Sequence, residues 1–121
     1  MASKKKKTKI FYAAAQFYEP FIIGGDVWQW YRYPVEARLV KIVDFDCFIF
    51  EGHNGDYHIH EQKTGGLIGK GKTKKRAEAD AIANVKSTPD LKKQMAQFGD
   101  VMSFKETTKK EAFRRLQRGT Q

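Results

Sequence analysis

One cysteine is all that the 121-residue chain contains, so Cys47 cannot close an internal disulfide. Without a Cys-x-x-Cys pair the sequence also lacks the usual spacing of a structural zinc site. Nothing points to an oxidising compartment, and a reducing cytoplasm fits best. Long apolar runs are absent too. The basic start leads into Ile10, Phe11, Tyr12 and three alanines, but Gln16 and Glu19 interrupt, leaving a run too short and too polar for a signal-peptide core or a membrane span. A Ser-His-Asp order, a dinucleotide fingerprint and converging carboxylates for a metal-dependent nuclease are likewise missing. The bare spacing of a phosphate-binding loop occurs at Gly66-x-x-x-x-Gly71-Lys72-Thr73, yet so short a chain has no room for the parallel sheet that makes such a loop an NTPase. The expectation is a protein that is not an enzyme and needs no metal or cofactor.

What is present in excess is positive charge, unevenly placed. Of a net charge of +9, residues 1–9 supply five lysines and no acid, residues 10–62 hold three cations against eight acids, and residues 63–121 hold fifteen against six. A slightly acidic body between two basic segments suits a polyanionic partner, nucleic acid above all. The block Lys4 to Lys7 also fits a solvated arm, since like charges repel. The domain reading is a basic disordered arm over 1–9, one α+β domain over 10–100, and a basic C-terminal helix over 101–121.

Nine of the sixteen aromatics fall in residues 10–33. Ile10 to Tyr18 reads as helix by its alanines or strand by its aromatics, and leans to helix. From Asp26 the pattern turns to strands: Val27 to Tyr33, interrupted by Pro34, then Glu36 to Val43 and Phe45 to Glu51. Gly52-His53-Asn54-Gly55 supplies a hairpin turn into Tyr57 to Gln62, and Thr64-Gly65-Gly66 a second turn into Leu67 to Gly71. About four antiparallel strands over residues 27–71 are expected, packed against C-terminal helices over about 73–86, 89–98 and 108–118. Thr73 is the first N-cap, with Ala77, Ala81, Ile82 and Val85 as the apolar stripe. Pro89 opens the second helix and Gly99 closes it, while Thr108 and Glu111 have capping-box spacing for the third.

The most informative chemistry lies between Gly69 and Arg76. Lys74, Lys75 and Arg76 in the first turn of a helix oppose its dipole by roughly 0.3 to 1 kcal/mol each. A bound phosphate would offset that cost, with free amides, glycines and lysines converging on one anion. Lysines swinging outward into water are the plain alternative. The candidate phosphate-gripping set is Lys63, Lys70, Lys72, Lys74, Lys75 and Arg76. The run Gly69-x-Gly71-x-Thr73-Lys74-Lys75-x-Ala77-Glu78-x-x-Ala81 resembles the C-terminal part of double-stranded RNA-binding domains, over residues 69–85. That resemblance implies that Lys74 and Lys75 contact phosphates across the RNA major groove. Residues 34–68, with Phe45-Asp46-x-Phe48 and Tyr57-x-x-His60, are similar to bacterial Sm-like RNA chaperones, which implies contact with uridine-rich RNA. This chain has Tyr57-His58-Ile59-His60 where that family carries a Tyr-Lys-His segment.

Other constellations stay open. His58 and His60 share one strand face opposite Tyr57 and Ile59, and His53 lies across the hairpin, a trio that could approach a metal but lacks a clear further ligand. Trp28 and Trp30, with Arg32 next along their face, suit stacking on unpaired bases, docking on a protein, or burial in the core. Two function classes result. One is a module that binds nucleic acid, RNA favoured over DNA and structured or double-stranded RNA in particular. The other is a small inhibitor of the anti-CRISPR or anti-defence type, such as phages and mobile elements carry, docking on a host protein or ribonucleoprotein.

Overall fold

The structure, a computed structural model, describes residues 8–21, 25–52, 54–101, 105–112 and 114. It is an α+β protein in the order β1 (Lys9–Phe21), β2 (Gly25–Ile42), β3 (Phe45–Glu51), β4 (Tyr57–Glu61), β5 (Leu67–Gly71), α1 (Lys74–Ser87), α2 (Leu91–Val101) and β6 (Lys105–Glu106). The strands lie in the order β1-β2-β3-β4-β5, all antiparallel, and β6 adds a short parallel pairing to β2. No helix among the described residues is long and apolar enough to cross a membrane. Residues 1–7 of the basic arm, His53 and the part of the third helix beyond residue 114 lie outside the described residues, and Lys9 already belongs to β1.

Period-two alternation along β3 organises the core. Cys47 and Ile49 face α1, joining Ile42, Ile59, Ile68, Ala77 and Ala81. Phe48 and Phe50 face the other way, into a second cluster with Ala13, Val35 and Ala37, against which Phe11 packs. Thus the β2–β5 sheet lies between helices on one face and the β1–β2 ribbon on the other. Leu91 and Met95 bring α2 onto the helix-side cluster. The third helical segment starts where expected: the Thr108 hydroxyl accepts the Glu111 N–H at 3.1 Å, and Ala112 is buried beside Tyr31.

Several sequence expectations require correction. The Ile10–Tyr18 segment is strand rather than helix, because all thirteen residues of β1 pair with β2 from Lys9↔Ala37 to Phe21↔Gly25. Pro34 does not interrupt β2. The Ala14 N–H points away from β2 to the Gly65 carbonyl at 2.8 Å, so by the antiparallel alternation Tyr12 and its partner Pro34 also turn their backbone groups out of the β1–β2 ladder. On its other edge Pro34 falls between residues paired with β6 and those paired with β3, where a missing N–H leaves no ladder bond unmade. Helix α2 begins at Leu91, after a turn holding Pro89, and continues past Gly99 to Val101. Ile82, assigned to the buried stripe, is 37% exposed. The stripe that meets the sheet is narrower, built on Ala77 and Ala81.

Candidate nucleic-acid interface

The strand-turn-helix unit from Leu67 to Ala81 positions the basic residues. Thr73 caps α1 as expected: its hydroxyl accepts the Arg76 N–H at 3.1 Å, and no acid stands in the first turn. Gly69 and Gly71 explain how the unit is held. A Cβ at Gly69 would stand 2.5 Å from the Ala81 nitrogen, and one at Gly71 would stand 2.7 Å from the Ala77 nitrogen. Those distances are below any tolerable approach, so the glycines are the seats of the Ala77 and Ala81 face of α1. The backbone approach that the sequence suggested for an anion at these glycines is taken by the helix instead.

Polar side chains of α1 also close the free edge of β5. The Asp80 carboxylate accepts the Lys70 N–H at 3.0 Å, and the Asn84 amide donates to the Ile68 carbonyl at 2.6 Å. Ile68 and Lys70 alternate with Gly69 and Gly71, the β4-facing residues, so these two bonds satisfy outward-facing groups that would otherwise offer a pairing template. The helix is thereby pinned to the strand along two turns.

Lys70, Lys72, Lys74, Lys75 and Arg76 are all exposed, and none forms an ion pair among the described residues. The Lys74 ammonium lies 5.8 Å above the Tyr57 ring, a cation–π arrangement that draws it over the adjoining end of the sheet. Lys63 is exposed as well but belongs elsewhere. It sits in the β4–β5 turn, at the far end of a five-residue strand from Gly71, which is roughly 14 Å at about 3.4 Å per residue. Lys72, Lys74, Lys75 and Arg76 therefore stand together at the start of α1, while Lys70, paired with His58 between the α1-facing Gly69 and Gly71, lies on the opposite face of the sheet and Lys63 lies in the turn.

That turn has its own chemistry. Glu61, 6% exposed, accepts the Thr64 N–H and hydroxyl at 2.9 and 2.8 Å through one carboxylate oxygen, and the Lys63 N–H at 2.8 Å through the other. Gly65 adopts φ +76, and its carbonyl accepts both the Ala14 N–H at 2.8 Å and the His60 Nδ1–H at 2.6 Å. A Cβ at Gly65 would meet the Tyr12 carbonyl oxygen at 2.6 Å. The turn is thus a clasp between the β4–β5 hairpin and β1, with Lys63 exposed upon it.

The histidines follow the facing read from the sequence, but their setting is aromatic. His60 is 3% exposed and stacks on Phe48 at 5.6 Å between ring centres, with Phe50 at 5.2 Å and His58 at 6.0 Å. Burial lowers its pKa to about 4, partly opposed by the bond to Gly65. With Nδ1 donating to a carbonyl, the ring is the Nδ1–H tautomer, and Nε2 is buried with no hydrogen-bond partner among the described residues. No group of three His, Cys, Asp or Glu suited to a metal occurs among the described residues. The Cys47 thiol is buried, which raises its pKa to about 12, and it stays a packed apolar group.

Trp28 belongs to β2 by its backbone, while its side chain lies outside what is described; Trp30 and Arg32 are half-buried. Tyr31, between them and on the opposite face, is the core residue of this stretch at 1% exposure. No family model, curated protein or solved structure matches the chain. Sequence reading missed the cleft beside Lys74, of about 310 Å³, lined by Glu36, Arg38, Ile49, Glu51 and Tyr57 among others. Its one visible trace is Arg38, one of only three cations in the acidic body of the chain.

Proposed function

We propose that the protein is a non-catalytic RNA-binding module that grips the phosphates of structured or double-stranded RNA. Four exposed cations that form no ion pair among the described residues, Lys72, Lys74, Lys75 and Arg76 at the start of α1, carry this reading. Because Gly69 and Gly71 seat the helix, the grip is made by long side chains rather than by backbone at the glycines. The lysines act as point charges and Arg76 as a planar fork, and contacts of either kind to the phosphate backbone hold no sequence information. The run Gly69-x-Gly71-x-Thr73-Lys74-Lys75 carries the resemblance to double-stranded RNA-binding domains, and RNA is favoured over DNA on that ground.

A second reading, an inhibitor docking on a host protein or ribonucleoprotein, draws on Leu39 and Val43, apolar side chains 61% and 53% exposed toward the β2–β3 turn. That turn lies at the end of β3 away from Glu51, Tyr57 and Lys74, so the two surfaces are separable by mutation.

Changing Lys74 and Lys75 together to glutamate decides between them. Acids in the first turn suit the helix dipole, so the variant should fold at least as well as the parent. Its affinity for duplex RNA should collapse, and the slope of log affinity against log salt should flatten by roughly 0.7 to 0.9 for each phosphate no longer neutralised. Unchanged affinity and slope in a folded variant would remove this surface from consideration.

A further inference from the structure

The face of the sheet that α1 covers does not end where α1 begins. Arg38 stands opposite Ile49 across β2 and β3, and Glu51 stands opposite Tyr57 across β3 and β4. Directly paired residues share a face, and Ile49 and Tyr57 both belong to the helix-side cluster. Arg38, Ile49, Glu51 and Tyr57 therefore form one strip on the helix side, and with Lys74 over its end they line the 310 Å³ cleft. The floor is apolar, from Ile49 and the body of Tyr57.

Two of the polar groups around this floor are of opposite sign and yet do not pair. Arg38 is diagonal to Glu51, a spacing of roughly 7 to 8 Å between backbones on adjacent strands. Among the described residues neither side chain makes a hydrogen bond or an ion pair. A donor fork and a carboxylate thus stand apart at the rim of a cleft with an apolar floor. The complementary ligand is a flat ring carrying acceptors on one edge and two adjacent donors on another. Guanine alone of the four bases has this pattern: O6 and N7 accept from an arginine fork, and N1–H with the N2 amino group donates to a carboxylate. Its phosphate would then lie on the side of Lys74.

We propose that this cleft takes one unpaired guanine nucleotide adjoining the duplex held at Lys72 to Arg76, with Arg38 and Glu51 reading the base and Lys74 holding its phosphate. The inference rests on the RNA-binding reading and adds specificity to a grip that has none of its own. A cleft near 300 Å³ lies at the small end of ligand sites, which suits a single nucleotide rather than a longer strand.

The test uses the full chain and two probes. In the first, an RNA duplex is compared blunt and with a single-nucleotide bulge of guanine, adenine, cytosine or uracil. The guanine bulge should bind roughly tenfold tighter than the other three, the discrimination usual for one good bidentate pair. Glu51→Gln should erase that preference without weakening the blunt duplex, since it removes a negative charge beside Lys74, whereas changing Lys74 and Lys75 to glutamate should weaken every duplex. In the second, GMP, AMP, CMP and UMP are titrated and amide resonances of β3 and β4 followed. GMP alone should shift Glu51 and Tyr57. If all bulges bind alike and GMP shifts nothing, the guanine site is wrong while duplex binding still supports the wider reading. If GMP shifts the cleft but no duplex binds, the RNA-binding reading falls, and with it the placement of this site beside a duplex.

Discussion

Lowering the pH from 7 toward 4 should destabilise the fold through His60. In the folded protein the ring is buried among Phe48, Phe50 and His58, its Nδ1–H is committed to the Gly65 carbonyl, and its pKa falls to about 4 from an ordinary 6.5. The unfolded chain titrates at the ordinary value, so between the two the unfolded state holds more protons than the folded one. Stability from this group is complete above pH 6.5, declines as pH falls toward 4, and is flat below. At about 1.4 kcal/mol per pH unit, the fall from 6.5 to about 4 amounts to roughly 3 to 4 kcal/mol. That is a large part of the roughly 5 to 15 kcal/mol typical of a small domain.

Carboxylates also titrate in this range, so the assay is a difference. Urea unfolding of the parent and of His60→Phe would be measured at half-unit steps from pH 7.5 to 4. Phenylalanine keeps a ring in the stack and removes the titration, at the loss of the bond to Gly65, whose carbonyl retains Ala14. The variant should start less stable at pH 7 and gain on the parent by about 3 kcal/mol by pH 4. Parallel stability curves would show that His60 does not titrate from a buried neutral state, and the Nδ1–H tautomer and its clasp on Gly65 would then be wrong.

Three further outcomes follow from single positions. Gly69→Ala should cost about 3 kcal/mol in urea unfolding, at the upper end of overpacking, because the added methyl meets backbone atoms of Ala81 that cannot swing aside; a loss under about 0.5 kcal/mol would deny the tight seat. Val43→Gly should stabilise by about 1 kcal/mol, since a β-branched residue at φ 58 in a two-residue hairpin turn carries about 1 to 3 kcal/mol of strain and loses little burial; an unchanged melting midpoint would refute it. Changing Asp80 and Asn84 together to alanine should leave the β5 edge open and produce concentration-dependent association by light scattering, and a variant that associates no more than the parent would show that the edge is guarded in another way.

Much of the fold was legible because local chemistry and tertiary packing agree there. Thr73 and Thr108 cap helices as their spacing requires, and Gly55, at φ +88, turns the β3–β4 hairpin. The alternation of Cys47, Phe48, Ile49 and Phe50 matches a strand buried on both faces. Residues 10–18 misled because three alanines favour a helix locally, while a thirteen-residue ladder to β2 favours a strand only once β2 is in place. That information is non-local, and no window on the sequence contains it. The same holds for Pro34, whose tolerance depends on which strand ends beside it, and for Ile82, which lies beside the Ala77 and Ala81 face that meets the sheet rather than on it.

The candidate site divides along the same line. Lys70 to Arg76 could be read as a basic cluster because they are contiguous, and the structure keeps Lys72 to Arg76 at the helix start while the strand's alternation turns Lys70 to the other face of the sheet. Lys63 could not be told apart from them, since six residues of sequence hide a reversal of direction and a whole strand. The glycines were legible as places of close approach, but the approaching partner was not: space without a Cβ serves a phosphate or a helix equally, and only the third dimension shows Ala77 and Ala81 in it. With those glycines occupied, the proposed phosphate grip would rest on lysine and arginine side chains, whose contacts to a phosphate backbone carry no base information. Any base preference of such a protein must arise from groups of fixed geometry, and near the helix start those are the strand residues Arg38 and Glu51, held by cross-strand pairing on a rigid sheet.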